Sequence, residues 1–158
     1  MGLDMFIFQC NRTEHTIDQL LDITRIKHLN PTTPEAAPFL PLRKYEYVDD
    51  MFTIFHEAGY WRKANAIHGW FVDNAQKGVD DCGYYELTKE ILEKLLHVVE
   101  DVIETKNAEA LSPRDGFFFG SNDIDDWYWE DLKATVKILK KVLAADWNKH
   151  RFFYTSSW

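Results

Sequence analysis

Seven residues within "YWRKANAIHGWFVDN", positions 60 to 74, have the types needed to hold a small planar anion: Trp61, Arg62, Lys63, Asn65, His68, Trp70 and Asn74. An indole offers a face for stacking, and Arg and Lys supply charge for a phosphate or carboxylate. The amides and the imidazole supply donors and acceptors. Taken as one helix at 100° per residue, Tyr60, Ala64, Ile67, Phe71 and Ala75 form a core face. Trp61, Asn65, His68 and Val72 line one flank, and Lys63, Ile67, Trp70 and Asn74 the other. Two readings stand on spacing alone. The polar members satisfy buried backbone and the rings cover neighbouring elements, which is the commoner arrangement, or they converge on a ligand. Arg62 and Lys63 fall on different sides, so other loops, or other chains of a homo-oligomer, are expected to complete a site.

Other reactive clusters have simpler explanations. In "VDDCGYYE", Asp80, Asp81 and Cys82 with His68 offer metal donors, but the spacing matches no zinc, EF-hand or His-Glu-x-x-His pattern, and Asp commonly builds turns. No metal and no cofactor is expected. A Cys82 and His68 nucleophile pair has nothing to orient it. In "NDIDDWYWED", Asn122 or Asp123 caps a helix, and Asp125 and Asp126 sit where the helix dipole favours negative charge. Trp127, Tyr128 and Trp129 cannot all face one way, so one ring borders solvent or a cleft. Phosphate-binding, dinucleotide and nucleophile-elbow glycine patterns are absent, so no enzyme class is assigned and the expectation leans away from an enzyme.

Composition narrows the classes further. The 158 residues carry a formal charge of −8, with 15% aromatic residues including six tryptophans. Such a charge disfavours direct nucleic-acid binding and anionic membranes. So many rings with polar tips point to a core boundary or groove. Two cysteines are too few for a disulfide framework. "MGLDMFIFQCN" has an acid at position 4 and too short an apolar run for a signal-peptide core, and no run approaches a membrane span. The expected compartment is the cytoplasm.

The elements that must position these residues are mostly helical. The spacing predicts helices near 14–28, capped by Thr13 or Thr16, and over Val48, Met51, Phe52 and Phe55 to Gly59. Three more are expected: from Tyr60 to Gly78, from a Thr88 cap through Leu92, Leu95, Leu96, Val99, Val102 and Ile103, and from Asp123 to Ala145. "NPTTPEAAPFLP" holds four prolines and reads as a surface loop. "MFIFQC" and "RFFYTSSW" are strand-like runs expected to pair, and "DGFFFGS" is expected to plug the core. The fold class is therefore α+β: a mainly helical single domain, 1–158, of about five helices with a small antiparallel sheet including the N- and C-terminal strands.

The chain resembles a family of small bacteriophage- and prophage-encoded proteins. The likeness rests on "MGLDM", "YWRKANAIHGWFVDN", "DDCG", "GFFFGS", "DDWYWEDL" and "FFYTSSW", which span nearly the whole sequence. The resemblance implies an accessory protein in the host cytoplasm that counters host defence. It shifts the balance toward a ligand site, sequestering a nucleotide-like anion through Trp61, Arg62, Lys63, Asn65, His68, Trp70 and Asn74. The alternatives are an acidic inhibitor of a host defence protein, or a nucleotide or phosphodiester hydrolase with His68 as acid or base and a metal on Asp80, Asp81 or Asp126.

Overall fold

In the computed structural model, which describes residues 2–20, 47–48, 51–52, 55–116 and 119–158, the chain is α+β. Strand β1 (Asp4–Asn11) is followed by a helical turn at 17–20 and by a separate two-residue ladder of β2 (Tyr47–Val48) and β3 (Met51–Phe52). Then come β4 (His56–Arg62), α1 (Asn65–Asn74), β5 (Tyr85–Leu87), α2 (Lys89–Thr105), a 3₁₀ turn (Ala108–Leu111), α3 (Asp126–Leu143) and β6 (His150–Ser157). The main sheet is antiparallel in the order β4-β1-β6-β5. The two terminal runs pair as expected, with Asp4 opposite Ser157 and Asn11 opposite His150. The proline-rich loop at 30–41 and most of the helix expected at 14–28 lie outside the described residues.

Side chains alternate across the sheet as strand geometry demands. Met5, Ile7, Phe152 and Tyr154 join the main core with the inward faces of α1, α2 and α3. Phe6, Phe8, Phe55, Tyr84 and Phe153 gather on the opposite face, with ring centroids 5.3 to 6.3 Å apart. Helix α2 matches its periodic pattern: Thr88 accepts the Ile91 N–H at its start, and Leu92, Leu95, Val99 and Val102 are buried. At 17–20, Thr16 and Gln19 exchange side-chain to backbone hydrogen bonds in a capping box.

Helices α1, α2 and α3, the 3₁₀ turn and the helical turn at 17–20 are compatible with the expected count of about five, but the described residues of the stretch from Val48 to Gly59 are not helical. Residues 47–48 and 51–52 are paired strands, and β4 takes over from His56. Gly59 and Trp61 point inward while Tyr60 and Arg62 point out, a period of two that a pairing β1 stabilises over any local helical preference. Gly59 ends no helix. A Cβ there would stand 2.4 Å from Ile138 of α3, so its bare backbone lets that helix pack flush on the strand. The expected third helix likewise starts five residues late, at Asn65, and ends at Asn74. Helix α3 begins at Asp126, with Asp125 as its cap instead of Asn122 or Asp123.

Candidate functional site

The β4–α1 junction is sharply bent. Lys63 adopts a left-handed backbone (φ 60°), donating its N–H to the Leu3 carbonyl. Ala64, at φ −76° and ψ 68°, forms an inverse γ-turn closed by the Asn65 N–H on the Lys63 carbonyl at 2.8 Å. The chain thus turns from strand to helix in two residues. No side chain caps α1, and Ala66 and Ile67 of its first turn line an adjoining hollow. The partial positive charge of a helix start therefore faces that space.

The hollow has a volume of about 420 Å³, within the usual range for a small-molecule site. Arg62, Lys63 and Asn65 line it from the junction; Asp125, Trp127 and Asp131 line it from α3 and its cap. Helix α3 runs against β4 in reverse, Ile138 against Gly59 and Thr135 bonded to Trp61, which brings the start of α3 to the end of β4. Between them, Gly120 (φ +98°) passes against Lys63, where a Cβ would come within 3.3 Å of the lysine Cβ. Asn65 is buried and donates to the Ser121 carbonyl at 2.9 Å, fastening this loop over the helix start.

Two carboxylates of the hollow have structural duties. Asp125 caps α3 by accepting the Tyr128 N–H, and Asp123 accepts the Ser121 hydroxyl at 3.0 Å. Asp131 differs. Burial first, and the Asp125 carboxylate second, push its carboxyl up to about 6. Trp127, one turn earlier, is 79% exposed.

One turn along α1 the chemistry is closed. His68 is fully buried, with Nδ1 2.7 Å from the Tyr154 hydroxyl and Nε2 3.0 Å from Asp80 Oδ2. One tautomer satisfies every group: Tyr154 O–H donates to Nδ1, and Nε2–H donates to Asp80. Desolvation lowers the His68 pKa despite Asp80, which favours the neutral ring, and burial holds the Tyr154 phenol far above its ordinary range. Trp158 donates to the other Asp80 oxygen at 3.2 Å, and the Phe119 and His68 rings meet edge to face with centroids 4.9 Å apart. Phe119 is buried, in keeping with the plug expected of its segment.

Apart from His68 in its closed network, the residues singled out by sequence separate into three places. Arg62, Lys63 and Asn65 share the hollow. Trp61 does not flank Asn65 and His68 on a helix; it is a strand residue, 3% exposed, whose Nε1 donates to Thr135 Oγ1 at 2.8 Å. Trp70 and Asn74 line a separate cleft with Asp73 and Arg114, and Asn74 is engaged by the Trp70 carbonyl and Lys94. No protein-family model, curated protein or solved structure matches the chain. Gly120 and Ser121 join Arg62, Lys63, Asn65, Trp127 and Asp131 around the hollow, and Asp80 and Trp158 stand at the His68 network. Trp127 and Asp131 were missed by sequence because the acidic run reads as capping; their i, i+4 spacing on one helix face was the available signal. Among the described residues no three His, Cys, Asp or Glu side chains gather as a metal site.

Proposed function

We propose that this protein binds a nucleotide-like anion in the hollow at the β4–α1 junction and holds it unchanged. The observation that carries this reading is the grouping of Arg62, Lys63, the uncapped start of α1 and the exposed Trp127 ring around one space of about 420 Å³. Phosphate oxygens are matched by the two cationic side chains and the helix N–H groups. The base is matched by the indole face, so Trp127 takes the stacking role that sequence gave to Trp61 and Trp70. Asn65 holds the loop that walls the site, and Trp61 and His68 belong to the scaffold. With the phage-family resemblance, the biological reading is sequestration of a nucleotide signal used in host defence, in the host cytoplasm.

Calorimetry and native mass spectrometry against a nucleotide panel test this. One equivalent bound and recovered intact, with affinity lost in Arg62→Ala/Lys63→Ala, is the expected result. Failure of every nucleotide to bind ends the reading. A second reading has one observation of its own: Ile124 and Trp127 are exposed apolar side chains among Asp123, Asp125 and Asp126. That combination suits an acidic inhibitor surface on a host defence protein, with Trp127 as the anchor. A partner complex disrupted by Trp127→Ala, without any nucleotide binding, would favour it.

A further inference from the structure

The hollow has two chemically different ends. Arg62 and Lys63 line it from the junction, whereas Asp131 lines it from α3, where burial first and the Asp125 carboxylate second raise the pKa of its carboxyl. An anion at the first end leaves Asp131 free to meet another part of the same ligand.

Asp131 is also the carboxylate of the hollow without structural work among the described residues. Asp123 and Asp125 accept hydrogen bonds that build the loop and the cap, whereas Asp131 contributes only its backbone carbonyl, to the Thr135 hydroxyl at 2.7 Å. Trp127 and Asp131 lie four residues apart on α3, so ring and carboxyl share one face a single turn apart. A base laid on the indole presents its edge to that carboxyl.

An ionised carboxylate has two acceptor oxygens and no donor. The purine edge that fits it carries two adjacent N–H donors, as guanine does with its ring N–H and exocyclic amine. Adenine offers one donor beside an acceptor, and uracil a donor between carbonyls. Resting on the nucleotide reading above, we infer that the site selects guanine nucleotides, Asp131 reading the base edge, Trp127 its face, and Arg62 and Lys63 the phosphate.

The reading has a pH signature. Asp131 titrates at about 6, so protonation replaces one acceptor by a donor and removes the match to guanine. The other charged groups lining the hollow with it are the Asp123 and Asp125 carboxylates from the approach to α3, and Arg62 and Lys63 from the junction. Tyr128, also lining the hollow, is pushed by burial up to about 12 and stays protonated.

The test is calorimetric titration of the full chain with GMP, IMP, AMP and UMP at pH 7.5 and pH 5, in the natural protein and in Asp131→Asn. At pH 7.5 GMP is expected to bind at least about tenfold tighter than IMP or UMP, the scale of one good bidentate edge contact. The GMP to UMP ratio should shrink at pH 5; taking the ratio cancels titration of the shared phosphate. In Asp131→Asn the amide, with one donor and one acceptor, should shift preference from GMP to AMP. Binding that ignores the base, or a ranking unchanged by both pH and Asp131→Asn, overturns guanine selection while leaving nucleotide binding intact. Absence of any nucleotide binding overturns both. The pH ratio in the natural protein keeps the inference falsifiable if the variant folds poorly.

Discussion

Asn65 and His68 sit one turn apart on the same buried helix, and the two neighbourhoods around them are built to opposite rules. Around His68 the polar side chains are paired: the imidazole bridges Tyr154 and Asp80, and Trp158 closes the far carboxylate oxygen. Around Asn65, the amide ties down Ser121, but Arg62, Lys63, Asp131 and the Trp127 ring are left facing a hollow. Burial of polar groups is tolerable only when hydrogen bonds replace the lost water, so a closed network specifies the fold. An open set of charged and aromatic tips keeps its solvent until a ligand displaces it. Residue type alone cannot separate the two; pairing does.

The sharpest way to break this contrast is to damage the closed side. His68→Leu keeps the volume roughly but strands the Tyr154 hydroxyl and the Asp80 carboxylate. Leaving buried polar groups unsatisfied costs about 1–3 kcal/mol each, so the variant should lose roughly 2–4 kcal/mol in urea unfolding. Ligand affinity in whatever fraction remains folded should hold. A variant of unchanged stability and lost affinity would move His68 from scaffold to site. The converse experiment is Arg62→Ala/Lys63→Ala. Both side chains are exposed, and surface changes of this kind usually stay within about 0.5 kcal/mol of stability. Nucleotide affinity should nevertheless fall tenfold or more, about 1.4 kcal/mol by affinity arithmetic. Equal losses in both variants, in both assays, would erase the distinction between the two neighbourhoods.

What the sequence carried, and what it did not, follows the same division. The helices with exposed faces were legible because one-sided burial leaves a 3.6-residue period, as Leu92, Leu95 and Val99 do in α2. The pairing of the terminal runs was legible too, since short apolar strands need partners. Helix α1 was not, because Asn65 through Val72 are all buried and no stripe marks its start. With no stripe, the strand-to-helix turn at Lys63 and Ala64 was invisible, and Trp61 was assigned to a helix edge it never joins. Arg62, Lys63 and Asn65 could be singled out by type, but their meeting with Trp127 and Asp131 depends on α3 running back along β4. That is a tertiary fact with no local signature.

The smallest expected effect uses proton linkage to compare the two places directly. His68 has its folded pKa lowered below 6.5 by desolvation. Its stabilising contribution is therefore present above pH 6.5 and is lost as pH falls through the folded value. Asp131 has its folded pKa raised from 3.8 to about 6, so its contribution is fully present below 3.8 and is lost as pH rises through about 6. Acidification from pH 7 to 5 thus weakens the closed network while relieving the open hollow, and the two trends partly cancel in the natural protein. Asp131→Asn removes one of them. At pH 7 the variant should be more stable by on the order of 1 kcal/mol, a figure discounted for the solvent that reaches this carboxyl. Thermal unfolding across the range should show that advantage fading as the pH drops toward 4, and a steeper loss between pH 7 and 5 than in the natural chain. A pH-independent difference between the two would mean that the Asp131 carboxyl is fully solvated, and the hollow would then be ordinary surface.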